Sequence, residues 1–524
     1  MTPLTTFDTI VVGAGSSGAV MASRLSEDPY RSILLIEAGP DYGLIEDAPI
    51  EIIKALPRNV DIASKLLGKD SIHDWSYTAT ATDLLNTISV PRGRLVGGSS
   101  AVNSSIFLRG IPEDYDLWAT QGNNEWSYEH LLPYMRLIEE DLDFSEDYHG
   151  KLGPTPVRRF KENTWAKEQD IFYTACVGAG YQDCPDHNAP NSSGVGPLPL
   201  NISQGVRWNS AMAYLMGARS RKNLTIQADT HVRKILIQNG TATGLEIEHN
   251  KSISKVLSHE IILCSGTIST PQILMLSGIG QTSVLESADT HVMHDLPGVG
   301  KNLWDHPQVH LKFKTSNLIE HQYDSPRLQV GLKYTATNSP YRNDMFVLPT
   351  LFTSHTAPDP STNVDSVFRL VFCLYFAQSL GQIRIRSSDP HEHPEINFHY
   401  LSDTFDRIRL REAVNIGIDM AARKEFTELI DYRTAPENHN LKSDFELDDW
   451  IMRNLETSHH AAGTAKMGPT SDRYSVVDQF GKLHGINGIR IADASVMPSS
   501  VRANTHLTSL LIGERIADFI KKGL

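Results

Sequence analysis

Hydrophobic and polar positions alternate along this chain in patterns that predict its elements. Residues 7–12, FDTIVV, form a short apolar run rich in β-branched side chains, and the glycine-rich GAGSSG follows at Gly13 to Gly18. AVMASRLSED then places apolar residues at helical spacing, and SILLIEAG is a second apolar run carrying Glu37. The succession reads as strand, glycine turn, helix, strand. Further on, VGLKYTATN (330–338) and FRLVFCLYF (368–376) alternate or run apolar as strands, and GQIRIRSSDPHEHPEINFHYL (381–401) reads as a strand pair around a turn. These predict an antiparallel sheet. In GTISTPQILMLSGIG (266–280), Pro271 suits a helix N-terminus after a polar lead-in, with QILML as the apolar face. Between Asp41 and Asp74, Gly and Pro interrupt weak patterns, which predicts a loop.

The full chain of 524 residues has room for about three domains, and 40% hydrophobic with 21% charged residues is an ordinary globular composition. A net charge of −14 argues against nucleic-acid binding, which needs surplus Lys and Arg to neutralise phosphates. Small molecules are the expected partners. Cys176, Cys184, Cys264 and Cys373 are too sparse for a disulfide scaffold, and no CxxC pair suggests zinc. The stretch Ile261 to Gly280 is long enough to span a membrane, but Ser265, Gly266, Ser269, Pro271 and Gln272 make it a poor candidate. The first residues lack a signal peptide's charged start and apolar core, so a cytoplasmic protein without a membrane segment is expected.

The first glycine motif has a specific chemistry. Gly13 permits the tight turn, Gly15 lets the backbone approach a pyrophosphate, and Gly18 lets the helix pack closely on the sheet. The helix N-terminus offers free N–H groups to phosphates. Glu37 lies nineteen residues past Gly18, near the spacing of about 20 for a carboxylate that binds a ribose hydroxyl. Dinucleotide binding follows, although this motif alone does not separate FAD from NAD.

Two further glycine-containing loops add to it: GRLVGGSSAVNSSIFLR (93–109) can bring several backbone N–H groups to an extended ligand, and GTISTPQILMLSGIG is followed by DLPGVGKNLWDHP (295–307). Near the C-terminus come SHHAAGTAKMG (458–468), GIRIADASVMPS (488–499) and RANTHLTSLLIGERIADFI (502–520). With the first glycine motif, GRLVGGSSAVN, GTISTPQILMLSGIG, HAAGTAKMG and NTHLTSLLIGE in family order, the chain resembles the glucose-methanol-choline (GMC) oxidoreductases, and within them the choline-dehydrogenase-like alcohol oxidases and dehydrogenases.

The resemblance implies FAD bound along most of its length. Gly13, Gly15, Ser16, Ser17, Gly18, Glu37 and Ala38 would hold the ADP half, with Val232 against adenine. Arg94, Val96, Gly98, Ser99 and Asn103 would line the flavin, and Asp493, Ala494, Asn504 and Thr505 would meet the pyrophosphate, ribityl chain and ring. Some family members attach flavin covalently through a histidine in this loop. Here Val102 occupies that position, which implies dissociable FAD.

Oxidising an alcohol requires removal of the hydroxyl proton and transfer of a hydride to flavin. A base is needed, and histidine has the suitable unperturbed pKa. By the resemblance the base is His460, and Asn504 is its partner, donating to the developing alkoxide. His459 and His506 are the neighbours most easily mistaken for these two. His391, His393 and His399 lie in a proline-containing loop without a zinc signature, so no metal is expected.

Because the nucleotide motif opens the chain and the catalytic motif closes it, a mixed α/β fold is expected, with a Rossmann-like FAD-binding domain assembled from separated segments (1–155, 200–310, 455–524). Residues 156–199 and 311–454 would form a substrate domain with an antiparallel sheet flooring the site, and the loop 41–74 would serve as a lid. The expected reaction is oxidation of a small primary alcohol to the aldehyde, with oxygen as favoured acceptor. A dehydrogenase using another acceptor, a hydroxynitrile-lyase-like FAD protein and a flavin-binding protein without turnover are the alternatives. Substrate identity and oligomeric state are not legible.

Overall fold

A computed structural model describes residues 6–43, 45–55, 65–316, 326–352 and 367–524. The first apolar run is the strand Thr6–Val12, and the helix Ser16–Leu25 begins three residues after it. The strand pairs in parallel with Ile33–Ile36 on one side and Ser252–Leu263 on the other. Leu224–Gln227 and Ile489–Ile491 extend the parallel set, while Thr230–Gln238 and Thr241–His249 add an antiparallel hairpin, making seven strands. Three distant parts of the chain thus share one sheet. Ile10, Val11, Leu34, Leu35, Ile261 and Ile262 are buried within it, as continuous apolar runs in a covered parallel sheet should be.

The C-terminal helix Thr505–Lys521 lies against Ser16–Leu25. A Cβ at Gly513 would come within 2.9 Å of the Val20 Cβ, so the two helices approach closely there. Ser17 Oγ donates to the Ser509 carbonyl at 2.7 Å, and the Arg24 guanidinium grips Glu514 through two nitrogens. The last helix is thereby locked onto the glycine turn.

A second seven-stranded sheet is antiparallel throughout, in the order Ile430–Ala435, Pro307–Thr315, Val367–Leu374, Met345–Phe352, Val330–Tyr334, Gly194–Pro197, with Glu456–Thr457 beside Pro307–Thr315. Buried and half-buried residues alternate strictly along Pro307–Thr315, the signature of a strand with one face on the core.

Three local expectations need correction. The strand in VGLKYTATN stops at Tyr334, where Asp344 captures the Ala336 N–H and Ser339 Oγ and closes a turn. The pair from 381–401 forms, as Gln382–Arg384 and Glu395–Asn397, but it joins Tyr77–Thr80 and Thr87–Val90 in a separate four-stranded sheet. Hydrogen bonds between Leu303 and Gly381, and from Ile383 N to Gly300 O, draw it there. Pro271 is inside its helix, which begins at Gly266. The Thr267 carbonyl, which Pro271 cannot serve for want of an N–H, accepts the Thr464 hydroxyl at 2.6 Å instead.

Residues 44 and 56–64 of the expected lid lie outside the described residues. What is described there includes the short helix Ile50–Ile53 and an ion pair of Asp41 with Arg219. Among the described residues no helix is long and apolar enough to cross a membrane.

Candidate active site

The glycine turn is built as its sequence requires. Gly13 has φ +94°, and a Cβ at Gly18 would lie 1.8 Å from the Gly13 carbonyl oxygen. Only hydrogen is tolerated there. The turn therefore brings the N-terminus of Ser16–Leu25 to the ends of the parallel strands, where a cavity of about 440 Å³ opens. Its wall includes Gly13, Gly15, Ser16, Ser17, Glu37, Ala38, Arg94, Gly98, Ser99, Val232, Asp493, Ala494 and Thr505, which the sequence had singled out one by one. Gly18, Val96 and Asn103 stand behind this wall: Gly18 packs on Gly13, Val96 N donates to Pro40 O, and Asn103 Oδ1 accepts Ser105 N.

The cavity suits an extended dinucleotide. A Cβ at Gly98 would meet Gly15 Cα at 2.6 Å, so the two glycine loops abut without side chains between them. Glu37 accepts the Ala14 and Gly39 amides at 2.9 and 3.0 Å, and burial pushes its carboxyl up to about 7. The Asp493 carboxylate, also in the cavity wall, accepts Gly266 N, Thr270 Oγ1 and Ser495 N and so anchors the helix Gly266–Leu276. At the far end Trp75 stacks on Tyr77, Arg94 lies over Trp75, and His231 stacks on His391. Arg92 also lines the cavity, with a buried Nη2 that has no partner among the described residues. A buried guanidinium nitrogen facing a polar ligand would be satisfied by it. Backbone donors, a carboxylate in the cavity wall and the unpartnered Arg92 Nη2 together fit FAD.

His460 and Asn504 meet beside this cavity, with Nδ2 of Asn504 2.9 Å from Nε2 of His460. The Tyr375 hydroxyl donates to Asn504 Oδ1 at 3.1 Å. On its other edge, His460 Nδ1 lies 2.9 Å from His306 Nδ1, and His306 Nε2 is 2.8 Å from Ser500 Oγ. Asp305 accepts the His460 backbone N–H at 2.8 Å and the hydroxyls of Tyr400 and Thr457. Burial holds the His460 ring well below the ordinary histidine value, reinforced by His306, His459 and Arg92. The ring is held neutral.

The neighbouring histidines separate cleanly. His459 has φ +67° and belongs to the cavity wall, which His460 does not. His506 Nδ1 is 3.0 Å from Ser16 Oγ, which puts it at the glycine turn rather than beside Asn504. His391 bonds Glu248 at 2.9 Å, His393 packs on Tyr77, and His399 sits 3.7 Å from Asp83. Sequence reasoning missed His306, Tyr375, Asp305 and Arg92. Asp305 and His306 lie in the quoted DLPGVGKNLWDHP, where an Asp-His pair just before a strand is the available signal. Tyr375 sits in a strand that reads only as core.

Comparison with known proteins gives a consistent picture. The GMC oxidoreductase family model matches in two parts, residues 7–308 and 377–513. The chain is 33% identical to an oxygen-dependent choline dehydrogenase of Acinetobacter baumannii (strain AYE), covering 98% of this chain and 96% of that protein. It is 33% identical to the mitochondrial choline dehydrogenase of Mus musculus, covering 98% and 89%. Among solved structures, pyridoxine 4-oxidase from Mesorbium loti superposes with a TM-score of 0.89 at 29% identity, over 98% of this chain and 99% of that one. A formate oxidase shares the fold at TM-score 0.88 and 24% identity, over 100% and 99%.

Proposed function

The chain belongs to the GMC oxidoreductase family, and from that premise we propose that it oxidises the CH–OH group of a small primary alcohol to the aldehyde, with oxygen as acceptor. GMC oxidoreductases bind FAD, and the chain is an FAD-dependent oxidoreductase acting on alcohol-type substrates. The juxtaposition of His460 Nε2 and Asn504 Nδ2 at 2.9 Å carries the finer reading.

Bound FAD supplies the hydride acceptor. The chain supplies the rest. The glycine turn, Glu37 and Val232, all in the cavity wall, would hold the ADP half, while Gly98, Ser99, Arg94, Ala494 and Thr505 would border the flavin. A substrate hydroxyl entering between His460 and Asn504 exchanges their contact for two better ones: its proton goes to Nε2, and its oxygen accepts from the Asn504 amide. Because the imidazole is held neutral, the base is ready without prior deprotonation. Val102 is buried and apolar, in keeping with dissociable FAD. All four cysteines are free and buried, in keeping with a cytoplasmic protein. The FAD-binding unit comprises 1–155, 200–310 and 455–524, and the remaining segments form the substrate unit. Its junction is better drawn at Pro307, since residue 310 falls inside a strand.

The test is anaerobic flavin absorbance while alcohols of each charge type are added, followed by air. Bleaching by one of these alcohols, with colour returning rapidly in air, is expected. Colour restored only by a quinone or dye acceptor would make the protein a dehydrogenase. Flavin that stays oxidised with every alcohol would favour hydroxynitrile-lyase-like chemistry or an FAD protein without turnover.

A further inference from the structure

We propose that His306 is a positioning residue for the base: it accepts the Nδ1 proton of His460 and so keeps the His460 Nε2 lone pair turned to the substrate side. The inference rests on His460 being the base of the proposed reaction.

Five side chains form one hydrogen-bonded line: Tyr375, Asn504, His460, His306 and Ser500, with successive separations of 3.1, 2.9, 2.9 and 2.8 Å. A neutral imidazole has one donor and one acceptor nitrogen. Two Nδ1 atoms facing each other must therefore divide the roles, and the polarity at one end of the line sets it at the other. Burial drives the Tyr375 phenol well above its ordinary value, so it stays protonated and donates to Asn504 Oδ1. That leaves the Asn504 N–H for His460 Nε2. The His460 proton is then on Nδ1, given to His306 Nδ1, and the His306 proton is on Nε2, given to Ser500 Oγ.

The surroundings hold both rings neutral. Burial brings His306 down to about 3, against the opposite pull of the Val501 and Tyr375 backbone carbonyls. Around His460 stand His306, His459 and Arg92, each opposing a charge on its ring, while Asp305 is taken by the His460 backbone N–H and by Tyr400 and Thr457. His306 itself is fixed by contact with the Tyr375 ring, centroids 4.6 Å apart, and by Ser458 N donating to its carbonyl at 2.9 Å. A carboxylate in the place of His306 would draw a proton onto His460 and hold it there. An imidazole orients the base without charging it, and it accepts a stronger hydrogen bond when Nε2 takes the hydroxyl proton.

Long-range proton–nitrogen spectra of the histidine-labelled holoenzyme, assigned with His460→Ala and His306→Ala, read the tautomer without any substrate. We expect protonated Nδ1 and bare Nε2 on His460, with no titration between about pH 5.5 and 8.5. His306→Asn, whose Oδ1 accepts the same hydrogen bond, should preserve this pattern. His306→Phe should shift the proton to Nε2 and slow flavin reduction by about 10²-fold at nearly unchanged alcohol affinity. His306→Glu should make His460 titrate within the measured range. A proton on Nε2 in the wild type, or a tautomer indifferent to His306→Phe, overturns the proposal. If the Phe variant does not fold, the Asn and Glu variants decide by the presence or absence of titration. If no alcohol bleaches the flavin, the oxidation reading fails while the tautomer result still stands or falls alone.

Discussion

Two histidines of this protein live in opposite electrostatic worlds. His149 places Nδ1 2.9 Å from Glu139 and 3.0 Å from Asp141, and Nε2 3.0 Å from Asp186. Burial works against its charge, but the bonds from Asp141, Asp186 and Glu139 win and raise it to about 10. With Arg109 on Glu139 and Arg159 on Asp141 and Asp186, three buried carboxylates meet three cations, and the part-exposed Asp143 stands 3.8 Å from Arg159 at the rim. Of the described residues, Glu139, Asp141 and His149 are the one group whose geometry could hold a metal ion, yet an imidazolium with both nitrogens donating has no lone pair to offer. His460 is ringed by His306, His459 and Arg92 and stays uncharged. Desolvation opposes a charge on both rings, so it does not decide protonation. Partners do. The first arrangement braces Arg109, at the exit of the flavin loop, while the second keeps a base free.

Removing the free base should have the largest effect. His460→Ala should slow flavin reduction by about 10²–10⁴-fold while leaving the unfolding midpoint nearly unchanged, measured by anaerobic stopped-flow and thermal melts. Asn504→Ala should cost about 10²–10³-fold in the same assay, because the developing alkoxide loses its donor. A rate unchanged in either variant would break the functional half of the comparison.

The structural half answers to a different measurement. His149→Leu leaves three buried carboxylates facing two arginines and should destabilise the fold by about 3–5 kcal/mol in denaturant unfolding, with flavin reduction per folded molecule retained. The pH dependence has a definite sign. A histidine raised from 6.5 to about 10 contributes stability that is complete below pH 6.5 and is lost as pH rises through 10. Between pH 7 and 9 this should cost about 1 kcal/mol per pH unit, a slope that His149→Gln should remove.

Much of the nucleotide half was legible in sequence, because backbone geometry there admits few residues: Gly13 needs a positive φ and Gly18 a missing Cβ, and both demands show as glycines at fixed spacing. His460 and Asn504 were found through motif resemblance, 44 residues apart in the chain and in contact in space. His306 and the His149 cluster were not found. Each depends on pairings between side chains far apart in sequence, 154 residues for His306 with His460 and 37 for His149 with Asp186. A periodic pattern records which face of an element is buried, and nothing in it records which polar group waits on the other side. The misplaced strand pair at 382–397 has the same origin, since its length and alternation were right and its partner sheet was set by contacts to Gly300 and Leu303.

A third buried histidine sharpens the contrast with the smallest expected effect. His506 is brought down to about 4 by burial and is therefore neutral like His460, and it lies only two residues from Asn504. Its one polar contact among the described residues is Ser16 Oγ at 3.0 Å, and its ring meets Phe107 edge-on at 5.6 Å. Neutrality and proximity are thus shared with the base, while membership of the line from Tyr375 to Ser500 is not. His506→Gln keeps a hydrogen-bonding group near Ser16 and should leave the flavin reduction rate within about twofold, with FAD affinity weakened by about 1 kcal/mol at most, read by fluorescence titration of the apoprotein. A loss as large as that of Asn504→Ala would mean that proton transfer runs through the glycine turn, and the separation drawn between these histidines would be wrong.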